Sequence, residues 1–425
     1  MGKERLLDSW TELGNDIELF KKILKEMSST TSVKKTEARN VTLYSKNENA
    51  ITTEEKVPVY VLTPGKIWDL DEKTKQIMLH SGNINRKQLV DYGAGDLVDE
   101  YERRTKTMLC IDGKVYFTSS NLPSTMGLRT DIKGEAGIVP TLERDILSAQ
   151  RLNTCDEISF ITRTIDGLRK SFAALSGSYA YVPQSFLGDI ITRIEADGKL
   201  GKMVCNNWSI NNIVSEIYLE FPEKAAEISA LYEFEDEIVP GLYLAKSDVG
   251  ECSITIRATW RINNSIIVAD ELKRKHTGKI ISKNILEDVD KIVFSKYTKI
   301  PELLCSLMGT DITNPTWAKT VSSKEFNSLN SKAIAEAIKH VFNEIGMVSA
   351  VGKKTEKSIY EQLCSEVDPA LSYTAYDIVT MVMQLPERLT GLTTNSKNML
   401  AKACGQAPFV DMTKKTKASK VVLTA

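Results

Sequence analysis

The sequence is short of the residues that carry most metal and acid–base chemistry. Its 425 residues include 3 histidines and 7 cysteines. Cys110, Cys155, Cys205, Cys252, Cys305, Cys364 and Cys404 are spread along the chain, odd in number and without a C-x-x-C pair. That spacing offers neither a zinc site nor a disulfide framework, so they read as reduced thiols, mostly small core residues, in a cytoplasmic protein. His80, His276 and His340 have no Cys or Ser partner by sequence and read as structural or solvated. No metal and no cofactor is expected. Long apolar runs are also missing. The best, Ile378 to Leu385, falls far short of the roughly 18–20 residues a membrane span needs, and residues 1–27 lack the apolar stretch of a secretory leader. Nor does one sign of charge dominate. Lys and Arg total 55 against 56 Asp and Glu, a formal net charge of −1, so any pull on nucleic acid must come from a local patch.

The chain has no Rossmann glycine set, no H-E-x-x-H, no G-x-S-x-G and no EF-hand loop. Gly346 to Lys354 approaches a phosphate-binding loop, but its spacing is wrong, Lys354 stands where the hydroxyl is needed, and a helical pattern precedes it. Gly346 therefore reads as a helix C-cap. Asp69 and Asp71, and the acidic run Glu233 to Glu237, read as solvated surface.

What is present is pattern. Leu6, Trp10, Leu13, Ile17, Phe20, Leu24 and Met27 alternate spacings of four and three, which predicts an amphipathic helix over 1–27. It either docks on its own core or mediates self-association. Residues 28–56, rich in Ser, Thr, Lys and Asn, read as a polar arm or linker. From Val57 the pattern is that of strands: Val57–Leu62, with Pro58 at an edge, and two hairpins turning at Asp112-Gly113 and Asp166-Gly167. Residues 120–140 read as loop and Thr141–Leu152 as helix. In Ser253–Ile262, Ile254, Ile256, Ala258, Trp260 and Ile262 share one face, with Arg257 and Arg261 on the other. Beyond about residue 284 the pattern is helical: Ile285–Met308, Ser323–Ile345, Glu356–Val367 and Ala375–Leu389. The expected fold is α+β: a β-rich unit over 57–283, a helical region over 284–410 and a basic tail over 411–425.

One constellation has a physical direction. Residues 271–299 carry eight basic side chains against four acidic ones, and no acid lies between Lys273 and Lys283. Lys273, Arg274, Lys275, Lys279 and Lys283 follow the strand that presents Arg257 and Arg261. A cationic loop beside a sheet face is suited to gripping a phosphate backbone without reading sequence. Lys414, Lys415, Lys417 and Lys420 add a second short basic patch.

Val239-Pro240-Gly241-Leu242-Tyr243-Leu244-Ala245-Lys246-Ser247-Asp248-Val249-Gly250 resembles a turn-and-strand segment of a phage/plasmid-like protein family of unknown function. Tyr179-Ala180-Tyr181-Val182-Pro183-Gln184 and the helix start Tyr373-Thr374-Ala375-Tyr376-Asp377 are similar to further segments of that family. The likeness covers residues 165–405 in patches. Asp248 replaces the family's glutamate, and Arg261-Ile262-Asn263-Asn264 replaces its arginine–valine–cysteine–asparagine segment. The resemblance implies a bacteriophage or related mobile-element protein, acting in the host cytoplasm, and supplies no active-site residues. The leading expectation is a non-enzymatic, oligomeric protein that binds single-stranded nucleic acid in replication or recombination. A viral structural or assembly protein, and an enzyme without a recognisable motif, stand as alternatives; no membrane partner is expected.

Overall fold

Local turn chemistry sets the hairpins. Asp112 and Gly113 have φ of 48° and 76°, and Asp166 and Gly167 have 49° and 81°. Both pairs thus adopt the left-handed backbone that a two-residue hairpin turn requires. The computed structural model of the chain describes residues 2–53, 56–62, 80–85, 99–100, 102–103, 106–120, 122–125, 133–134, 137–138, 145, 148–149, 152, 156–232, 237–249, 253–262, 265–274, 287, 299–313, 321–389 and 394–413.

In chain order, strand β1 (Thr11–Gly14) precedes helix α1 (Ile17–Thr30), then β2 (Thr31–Glu37), β3 (Val41–Lys46), β4 (Lys56–Leu62) and β5 (His80–Asn85). The hairpin β6 (Thr107–Ile111) and β7 (Lys114–Thr118) follows, then a two-residue pair, β8 (Lys133–Gly134) and β9 (Gly137–Ile138), and the hairpin β10 (Glu157–Ile165) and β11 (Leu168–Ser176). Helix α2 (Ser185–Asp197) leads to β12 (Val204–Asn211), β13 (Val214–Glu220), α3 (Pro222–Tyr232), β14 (Ile238–Ser247), β15 (Ile254–Ile262) and β16 (Ser265–Arg274). The C-terminal part is helical, with α4 (Lys299–Met308), α5 (Ser323–Glu344), α6 (Lys353–Glu366), α7 (Ala375–Met383) and α8 (Thr394–Cys404). Gly346, with φ 66°, ends the turn after α5 as its sequence position predicts.

The fold is α+β. One sheet has six antiparallel strands in the order β1-β12-β13-β14-β15-β16. The other has eight, in the order β2-β10-β11-β7-β6-β3-β4-β5, antiparallel except where β7 meets β11. Alternation fixes which face of the six-stranded sheet is buried. Ile254, Ile256, Ala258, Trp260 and Ile262 all turn inward, against a core shared with α1, α2 and the C-terminal helices. Arg257 and Arg261 turn outward, as the pattern requires. A second apolar cluster, built around Ile161, Phe172 and Val249, joins the two sheets, and a third covers the far face of the eight-stranded sheet. Among the described residues no helix is long and apolar enough to cross a membrane.

The N-terminal expectations are corrected. Residues 1–27 are not one helix: Lys3–Leu6 is a 3-10 turn, Thr11–Gly14 is an edge strand paired with β12, and only Ile17–Thr30 is α-helical. Asp16 starts that helix, its carboxylate accepting from the amides of Glu18 and Leu19. Gly14 must stay extended and bare because a Cβ there would lie 2.5 Å from the Trp208 ring. Leu6, Trp10, Phe20, Leu24 and Met27 are buried within the chain's own core, Ile17 is half-buried, and only Leu13 stands open, at 74% exposure. Residues 28–56 are not an arm either. Val41, Leu43 and Ser45 alternate inward on β3, between β4 and β6, and the polar β2 forms the edge beside β10. Residues 1–56 therefore belong to the same two sheets as the β-rich region that follows. Of the tail, residues 414–425 lie outside the described residues, as do most of 120–155 and Asn263-Asn264.

These burials separate the two readings of the stripe. Phe20→Ala removes a fully buried ring and is expected to cost about 3–5 kcal/mol of stability, whereas Leu13→Ser should stay within roughly 0.5 kcal/mol. Urea denaturation of the two variants checks this. A fall in oligomeric state on Leu13→Ser would instead mark β1 as a contact between copies.

Candidate functional site

Strand register brings one row of side chains together on the outward face of the six-stranded sheet. Asn207 on β12 lies opposite Tyr218 on β13, Tyr218 opposite Tyr243 on β14, Tyr243 opposite Arg257 on β15, and Arg257 opposite Glu271 on β16. A cleft of about 280 Å³ opens over this row, walled by Ile266 and Val268 of β16 and by Ala401 and Lys402 of α8.

Hydrogen bonds fix Tyr243 and Arg257 within the row. The Tyr243 hydroxyl donates to Glu216 Oε2 at 2.6 Å, and the Ser209 hydroxyl donates to Oε1 of the same carboxylate at 2.9 Å. The Arg257 guanidinium carbon lies 5.2 Å from the Tyr243 ring centroid, a cation–π contact. Its Nε donates to Glu271 Oε2 at 2.6 Å. The other oxygen of Glu271 takes Lys273 at 2.8 Å and Lys402 at 3.2 Å. Burial works to raise the Glu271 carboxyl, but the hydrogen bonds from Lys273 and Arg257, with the charge of Arg257, outweigh it and hold it down to about 2.

Gly241 shapes the floor. A Cβ there would lie 2.8 Å from the Leu219 carbonyl oxygen and from Thr259 Oγ1, and 3.1 Å from the Tyr218 hydroxyl. Any other residue would displace both hydroxyls. Tyr218 and Thr259 are only 6% and 2% exposed, and neither hydroxyl makes a hydrogen bond of ordinary geometry. Burial pushes the Tyr218 phenol well above its usual value, although the neighbouring Thr259 hydroxyl opposes it.

The expected phosphate-gripping residues divide into three groups. Arg257 and Arg261 do share the outward face, but neither is a bare cation. Arg261 donates through Nε and Nη2 to Glu220, at 2.7 and 3.3 Å, and through Nη1 to Glu237 at 3.0 Å. The alternation of β15 placed these arginines correctly and said nothing of the carboxylates that neighbouring strands bring opposite them. Lys273 and Arg274 end β16, both exposed, with Lys273 in register with the outward face and Arg274 opposite Ile254. Lys275, Lys279 and Lys283 lie outside the described residues, as do Asp69, Asp71, His276, Cys155, Cys252, residues 233–236 and the tail lysines. His80 is on β5, and the His340 ring lies 3.1 Å from the Asp411 carbonyl oxygen. The other five cysteines are free thiols. Burial pushes those of Cys205 and Cys404 up to about 11 and about 12. Among the described residues no group of three His, Cys, Asp or Glu is placed to hold a metal ion.

A second constellation was not legible in advance: a buried charge network where the two sheets meet. Arg163, Lys246 and Asp248 have no exposed surface, and Lys170 is 1% exposed. Lys246 donates to Asp248, and Arg163 Nη2 lies 3.8 Å from the other oxygen of that carboxylate. Arg163 also donates to Asn212 Oδ1 and to Thr31 Oγ1, the latter at 3.1 Å, and it stacks 4.7 Å from the Phe172 ring. Lys170, the cross-strand partner of Arg163, lies 5.5 Å from the same ring centroid and reaches Asp8 Oδ1 at 2.9 Å and Glu100 Oε1 at 3.1 Å. Burial lowers Arg163 and raises Glu100. Burial would also raise Asp8, but the Lys170 charge and the Ser120 amide outweigh it and bring it below the ordinary carboxylate range. Residues 179–181 and 246–248 meet here: the Tyr179 hydroxyl donates to the Asp248 carbonyl at 3.1 Å, and Lys246 lies 5.7 Å from the Tyr181 ring centroid.

Each constellation has a distinct test. Lys170→Met strands two buried carboxylates and is expected to cost about 3–5 kcal/mol in urea denaturation; adding Asp8→Asn and Glu100→Gln should recover part of it. Glu271→Gln, in a half-exposed cluster, should cost only about 1 kcal/mol at neutral pH. Because the folded carboxyl titrates below its ordinary 4.5, this difference should persist above about 4.5 and disappear as pH falls towards about 2. Denaturation midpoints of wild type and variant across pH 2–7 would show it.

Comparison of the chain with protein-family models, curated protein sequences and solved structures gave no match to any of them.

Proposed function

We propose that this is a non-enzymatic binding protein that holds single-stranded nucleic acid across the outward face of its six-stranded sheet. The observation that carries this reading is the Tyr243–Arg257 pair, fixed by Glu216 and Glu271 on the outward sheet face. Aromatic and guanidinium planes on a strand surface suit unstacked bases, and cations along the rim suit the backbone. Lys273 and Lys402 supply that rim, and in the sequence the acid-free run to Lys283 continues directly from β16. Arg257 and Arg261, already opposite carboxylates, position a strand more than they neutralise it. The phage or mobile-element setting, with a role in replication or recombination, rests on the resemblance of residues 165–405, as does the host-cytoplasmic location. Self-association belongs to the same proposal, and a viral assembly protein is the rival reading.

Fluorescence anisotropy with a labelled dT oligonucleotide over a salt series tests it. With three to five phosphate contacts the slope of log K against log salt should be roughly −2 to −3.5, since each contact contributes about −0.7. Replacing Lys275, Lys279 and Lys283 together by Ala should flatten the slope by about 2. Tyr243→Ala should weaken binding by about 1–3 kcal/mol with the slope unchanged. Absence of binding at low salt overturns the reading in favour of the assembly protein.

A further inference from the structure

Arg257 is held in a way that leaves one edge of its guanidinium for a ligand. Its Nε is committed to Glu271, the Tyr243 ring lies against its plane, and neither Nη makes a hydrogen bond among the described residues. The two η nitrogens form a parallel fork of donors at the wall of the cleft. Beside it the Tyr218 and Thr259 hydroxyls, more than nine-tenths buried and without a hydrogen bond of ordinary geometry, line the same cleft next to the bare backbone of Gly241. Leaving such groups unmatched costs stability, so their presence in a cleft points to a ligand that matches them. The complementary ligand is planar, fits between the sheet and the apolar wall of Ile266, Val268 and Ala401, and offers two adjacent acceptors to the fork.

Resting on the nucleic-acid reading above, we propose that the cleft takes one unstacked base and selects guanine or cytosine over adenine and thymine. Guanine presents O6 and N7 side by side, and cytosine presents O2 and N3, so either can accept both donors of the fork. Adenine places its amino group next to N7 and N1, which sets N–H against N–H. Thymine separates its two carbonyls with the N3–H. The hydroxyls of Tyr218 and Thr259 can donate or accept and so complete the match with the remaining polar edge. A phosphate could also sit on an arginine fork, and that source would make binding indifferent to base.

The test uses the full chain and dT tracts that differ in one central nucleotide, guanine, cytosine or adenine, with affinities from anisotropy at fixed salt. The tracts with guanine or cytosine should bind roughly 5- to 100-fold tighter than the adenine tract. Arg257→Lys keeps the charge and removes the fork, so it should reduce the preference to under about twofold and leave the salt slope unchanged. Thr259→Val, which alters one hydroxyl and little volume, should lower the preference without unfolding the chain, as circular dichroism would confirm. Equal affinity for all tracts, with Arg257→Lys weakening each alike, would assign the fork to phosphate and overturn base selection while leaving the nucleic-acid reading intact. Binding to none of them overturns both.

Discussion

Six ionisable side chains, all buried except the part-buried Asp8, meet where the two sheets join and constrain how this chain is put together. Arg163, Lys170 and Lys246 face Asp8, Glu100 and Asp248, so the network is balanced in charge. Its members come from the N-terminal turn, from both strands of the β10–β11 hairpin, from the end of β14 and the residue after it, and from Glu100, ahead of β6 in the chain. Burying ions carries a desolvation cost of several kcal/mol each, and the pairing repays it only when geometry is complete. Apolar replacements of similar volume could serve stability as well. What the network adds is a penalty on every wrong arrangement, because a shift of either sheet would leave a bare charge in a dry interior.

That constraint also explains why the N-terminus is structured. Asp8 binds Lys170, its amide donates to Glu100 at 2.8 Å, and the Leu7 carbonyl accepts from Asn212 at 2.6 Å. With residues 7 and 8 anchored at the sheet junction, the next few can reach β12 as a strand, and α1 starts where Asp16 caps it. The six-stranded sheet then commits its inner face to the apolar core, with Trp260 fully buried against it. On the outer face, polar residues are clamped by carboxylates rather than released to solvent.

Local rules were legible in the sequence. The Asp-Gly turns, the inward set Ile254 to Ile262, the outward Arg257 and Arg261, the late helices and the Gly346 cap all follow from short-range patterns that the fold respects. The failures share a cause. The 3–4 spacing from Leu6 to Met27 matched burial except at Leu13 and the half-buried Ile17, and it was met by a turn, a strand and a helix in succession, because Gly14 packs under Trp208 and Asp16 starts a helix afresh. Residues 28–56 read as linker because Ser, Thr, Lys and Asn dominate, yet strand pairing, as in β2 and β3, needs backbone groups more than apolar side chains. No spacing rule could show that Lys170 or Lys246 would be buried, or that Glu271 would meet Arg257, since those pairings belong to register and to sheet order.

The electrostatics of the outward face favour discrimination over strength. An open row of cations would attract any polyanion, and its affinity would be set by counterion release alone. Here Glu271 receives Arg257, Lys273 and Lys402 together, and Glu220 and Glu237 receive Arg261. Each carboxylate lowers the local positive potential and fixes the orientation of the cation it meets. Side-chain ordering is thereby completed during folding, so a ligand that fits the fork and the two hydroxyls does not have to supply it. A ligand that offers only charge gains little, because the nearest charges are already matched. The same clamp that makes the face nearly neutral is what gives Arg257 a defined donor edge.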